Sequence, residues 1–115
     1  MQRRFSIRKM NISERQLKLI QGAAGQLVDV LRLTKEEAVK LIAMALQAEL
    51  VKRKTNLEEL NLRPRSERAS FIRGVVQQVH ESLIRRNEWS KTLIDQTIQS
   101  FMEILHDSYM EEMES

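Results

Sequence analysis

The sequence predicts a mainly α-helical protein, about four helices in two helical hairpins, preceded by basic residues that read either as a short N-terminal β-strand pairing across a dimer or as a disordered arm. Three observations carry the helical part. Three glycines and one proline in 115 residues leave few helix breakers. Apolar residues recur at spacings of three and four along most of the chain. Ser13, Thr34 and Ser90 each stand where a side-chain oxygen caps the start of such a run.

The first helix is expected to start at about Glu14. Ser13 and Gln16 have capping-box spacing, and Ile12 and Leu17 sit at the two positions of a hydrophobic staple. Leu17, Ile20, Ala24, Leu27, Val28 and Leu31 then follow one face, widened by Leu19, Ala23 and Val30, so this helix is covered on more than one side. Gly22 and Gly25 bracket two alanines and invite close approach of another helix.

Thr34 and Glu37 repeat the capping-box spacing and open a second helix that stops near Thr55, its last turn carrying Lys52, Arg53 and Lys54 where the helix dipole favours cations. Only "LRLT" separates the two helices, which makes them a hairpin. A segment over residues 56–65 then breaks the pattern, with a single helical turn at residues 57–60 before Pro64, and reads as a linker. A third helix is expected over residues 66–86, on Ile72, Val75, Val76, Val79 and Leu83. Ser90 caps the fourth, whose stripe of Ile94, Ile98, Phe101, Met102, Leu105 and Tyr109 is extended by Met110 and Met113.

Charge is distributed unevenly. All 19 Lys and Arg residues lie in residues 1–91, which carry a net +9, whereas residues 92–115 carry −6. A basic body of this kind attracts phosphate, and an acidic end can shield it or meet a basic partner. There is no cysteine, no signal-peptide pattern and no apolar run near the roughly 20 residues that span a bilayer, so a cytoplasmic, membrane-free protein is expected.

Catalytic chemistry finds little support. His80 and His106 fall on separate helices, and no nucleophile motif accompanies them. Glu103 and His106 form one Glu-x-x-His pair, but di-iron bundles need two, and Gln77 stands where the second glutamate would be. A non-enzymatic protein with no metal and no cofactor is therefore expected.

The first residues bear on function. In "RFSIR", Phe5 and Ile7 alternate with Arg4, Ser6 and Arg8, giving a strand one apolar and one basic face, and a terminal strand satisfies its backbone by pairing with a second copy. Strand, helix, short turn and "LTKEEAVKLIAMAL" together resemble the ribbon-helix-helix DNA-binding family over about residues 4–50. That resemblance implies a two-stranded ribbon in the major groove, with Arg4, Ser6 and Arg8 facing bases, Phe5 and Ile7 facing the dimer core, and Thr34 and Lys35 beside a phosphate.

Lys52, Arg53, Lys54, Arg63, Arg65 and Arg68 supply further phosphate contacts. The expectation is a homodimer or higher oligomer that binds duplex DNA, as a transcriptional regulator or an accessory factor in replication, partition or DNA transfer. Residues 1–55 would bind DNA and dimerise. Residues 66–115 would form a C-terminal hairpin, within one folding unit or an obligate dimer, whose Met102, Tyr109, Met110 and Met113 meet a protein partner or another copy, so that deleting residues 103–115 spares DNA affinity. The competing expectation is an all-helical adaptor or inhibitor that binds protein alone.

Overall fold

The computed structural model describes residues 14–113, and Met113 through its backbone. The expected strand over residues 4–8, with Arg4, Ser6 and Arg8, the cap Ser13 and the side chain of Met113 lie outside the described residues. Five helices follow one another: α1 (Glu14–Leu31), α2 (Lys35–Lys52), α3 (Leu57–Leu60), α4 (Arg65–Arg86) and α5 (Lys91–Met113). Among the described residues there is no strand, and no helix is long and apolar enough to cross a membrane.

Local chemistry sets the boundaries. Thr34 and Glu37 exchange a complete capping box, each backbone N–H donating to the other's side chain at 3.0 Å. Asn56 caps α3 by accepting from the Glu59 N–H at 2.8 Å, and Ser90 caps α5 by accepting from the Leu93 N–H at 3.1 Å. Pro64, whose lost N–H would have no partner in a first turn, stands at the start of α4. Among the described residues, three non-glycine residues adopt the left-handed conformation where helices end: Arg32, Lys54 and Asn87. Asparagine tolerates it best, and Asn87 closes α4.

The four long helices form a closed ring of neighbours, with α1 packing on α2 and α5, and α4 packing on the same two. Each neighbour runs antiparallel. Arg53 meets Ser70 while Arg86 meets Glu37, which fixes α2 against α4. Ser108 Oγ donates to the Leu19 carbonyl at 3.1 Å, and Trp89 Nε1 to the Leu31 carbonyl at 3.2 Å, which fixes α5 against α1. The result is an up-down-up-down arrangement around one core. Leu27 of α1, Leu46 of α2, Phe71 of α4 and Phe101 of α5 all belong to that core and are fully buried.

One core runs through both hairpins, which form a single unit. Residues 56–65 are not a bare linker, because Leu57 and Leu60 of α3 are buried in it. The apolar faces of the first hairpin are closed by α4 and α5 of the same chain. Gly22 does serve close packing, since a Cβ there would lie 2.7 Å from Ser108 Oγ; Gly25 faces open space and Val30 is exposed.

This topology gathers unlike segments at one end of the bundle. The start of α1, the end of α2, α3, the start of α4 and the end of α5 share it. Thr34 and Lys35 lie at the other, an 18-residue helix or about 27 Å away.

Candidate functional site

Seven cations fall between residues 52 and 73, against three acids, and the end of α2, α3 and the start of α4 bring them to one corner. Lys52, Lys54, Arg63, Arg65 and Arg73 are exposed there. Arg63 pairs with Glu67 at 3.4 Å one helical turn away, a surface pair of little energetic weight. Arg68 is half-buried and donates to the Asn61 carbonyl at 3.3 Å, which fastens the turn after α3 to α4.

Arg53 points inward, its Nε donating to Glu49 Oε2 at 2.7 Å and its Nη2 to the carbonyl and hydroxyl of Ser70, both at 3.1 Å. Its Nε and Nη2 are thus taken up in joining α2 to α4. Its partner Glu49 is the one charged residue among the described residues that is buried, and its second oxygen accepts from Gln78 Nε2 at 2.8 Å. Gly74 makes room, because a Cβ there would overlap the carboxylate.

Burial pushes the Glu49 carboxyl up, but the hydrogen bonds from Gln78 and Arg53 and the charges of Arg53 and Lys52 outweigh it and hold the group below its ordinary value. Above this clamp an open polar groove of about 490 Å³ is rimmed by Lys52, Arg73, Gln77 and Glu81. Nothing in the sequence marks this constellation. Glu49 and Gln78 lie 29 residues apart, and Arg53 reads as one of three consecutive cations.

Thr34 and Lys35 are separated from the basic corner. The Thr34 N–H is already donated to Glu37, and the Thr34 hydroxyl both accepts from Glu37 and, with the Thr34 N–H, draws its carboxyl below the ordinary value. Glu36 and Glu37 also place two anions on this first turn, so it is a poor phosphate seat. Lys35 is exposed, with Arg86 nearby held between Glu37 and Glu88 and over the Trp89 ring.

The residues expected to meet a protein partner divide. Tyr109 is fully buried against the core and offers no surface, which corrects its assignment. Met102 is exposed and Met110 half-buried, and both line a groove between the first half of α4 and the second half of α5. The groove holds about 340 Å³ beside Met102 and continues into a smaller recess of about 90 Å³ beside Tyr109 and Met110. Ala69 and Ile72 form its shared floor.

Charge is balanced across the bundle. Residues 14–113 hold fifteen Lys and Arg and fifteen Asp and Glu, so the net +3 of the chain comes from residues 1–13 and Glu114. Glu103 and Asp107 of α5 line one groove with Arg73 of the basic corner. His106 lies 3.6 Å from Asp107 and His80 3.1 Å from Asp95; among the described residues no three His, Cys, Asp or Glu side chains are grouped to hold a metal ion. No protein-family model matches the chain, nor does any curated protein or solved structure.

Proposed function

We propose that this protein is a non-enzymatic DNA-binding protein that engages the duplex through one end of its helical bundle, serving as a regulator or as an accessory factor in replication, partition or DNA transfer. The observation that carries this reading is the basic corner. Lys52, Lys54, Arg63, Arg65 and Arg73 stand exposed at one end of the bundle, the end at which α1 begins. Phosphate contacts of this kind give affinity without sequence reading; Arg4, Ser6 and Arg8 remain the proposed base-reading residues, in a homodimer.

The test is a salt series on mixed-sequence duplex DNA. The logarithm of affinity falls linearly with the logarithm of salt, and the variant carrying Arg63→Gln and Arg65→Gln loses about 0.9 of slope for each phosphate contact removed. Lys35→Gln, at the far end, leaves both affinity and slope unchanged. Absence of binding at low salt, or equal losses at both ends, overturns the reading.

A further inference from the structure

The groove between α4 and α5 has an apolar floor and two walls of opposite charge. Arg65 and Arg73 rise from α4, and Glu103 and Asp107 from α5. All four are exposed, Asp107 with 84 % of its side chain accessible. The cationic wall runs from residue 65 to residue 73, about 12 Å or two helical turns. Met102 on the rim is unbranched and adaptable, suited to packing against an incoming apolar side chain.

From this geometry we infer that the groove docks a two- to three-turn amphipathic helix of a partner protein, one that carries acids along one flank and bases along the other. An apolar stripe at i, i+4 and i+7 would cover Ala69, Ile72 and Met102. The acidic flank faces Arg65 and Arg73, and the basic flank faces Glu103 and Asp107. A nucleic-acid strand does not fit, since one wall repels phosphate. A uniformly basic segment does not fit either, since the other wall repels it. The groove shares Arg65 and Arg73 with the basic corner but adds the α5 wall, and the inference does not rest on the DNA reading.

Three synthetic helical peptides of equal length and identical leucine stripe test it: one with Glu on one flank and Lys on the other, one with Lys on both, one with Glu on both. Binding to the full-length chain is followed by amide chemical-shift titration. The mixed peptide binds about tenfold more tightly than either uniform one, because each uniform peptide exchanges attractive pairs for like-charge contacts along one wall. Shifts gather on α4 and α5.

Reversing both Arg65→Glu and Arg73→Glu makes both walls acidic and transfers the preference to the all-Lys peptide, a readout that general surface stickiness would not move. Met102→Lys weakens all three without altering the melting temperature. Equal binding of the three peptides, no binding by any, or groove shifts that appear on concentrating the protein alone, which would make a second copy the occupant, each overturn the inference.

Discussion

Glu49 shows how a single buried charge can be held in place. A carboxylate taken out of water is costly unless its lone pairs are met, and here Arg53 and Gln78 meet one oxygen each. The arrangement needs a backbone with no side chain at position 74. Gly74→Ala is therefore expected to destabilise the protein by about 1–3 kcal/mol, as overpacking does, although alanine is the better helix former. In a Glu49→Ala background the obstruction is gone, and the same substitution becomes neutral or stabilising by up to about 1 kcal/mol. Urea unfolding of the four variants measures this cycle, and additive effects would refute the contact.

The same carboxyl sets a pH dependence. Its folded value lies below the ordinary one, so between the two the unfolded chain binds more protons, and stability falls as pH falls. The contribution is complete above about pH 4.5 and is lost through the folded value below it. Glu49→Gln should lower stability at neutral pH, since the Arg53 guanidinium loses its counter-charge, and should flatten the loss as pH falls below about 4.5. A variant whose urea midpoint tracks the parent at every pH would show that Glu49 is not the responsive group.

At the scale of the element, what the sequence revealed was local. The capping box at Thr34, the cap at Ser90 and the run on Ile72 to Leu83 involve residues within a few positions of one another, and each helix starts within a residue or so of its expected place. Periodicity identifies an apolar face but not what covers it. The stripe of α5 looked available to a partner, yet Phe101, Leu105 and Tyr109 are fully buried, leaving Met102 on the outside. The Glu49 clamp was illegible for a related reason: it joins two helices at positions whose relation appears when α2 and α4 run antiparallel. A run of three cations likewise does not disclose that the middle one turns inward.

At the scale of the whole molecule, the closure of α5 on α1 changes what a truncation should do. Residues 103–115 read as an acidic end that could be removed without harm to DNA affinity. In the fold they carry Leu105 and Tyr109, each almost wholly buried, and the Ser108 hydroxyl that meets Leu19 and fills the space left by Gly22. Burial of one large apolar side chain stabilises by about 1.5–3 kcal/mol. Removing two of them also uncovers the face of α1 that they protect, a loss comparable with the whole stability of about 5–15 kcal/mol for a domain of this size. A chain ending at residue 102 should therefore lose its cooperative thermal transition, and its DNA affinity should become weak and diffuse because the cations of the basic corner are no longer held together. Met102→Ala, at the exposed edge of the same helix, should stay within about 0.5 kcal/mol of the parent. If the truncated chain melted as sharply as the parent and within a few degrees of it, the first and last long helices would not be partners, and the basic corner would owe nothing to the acidic end.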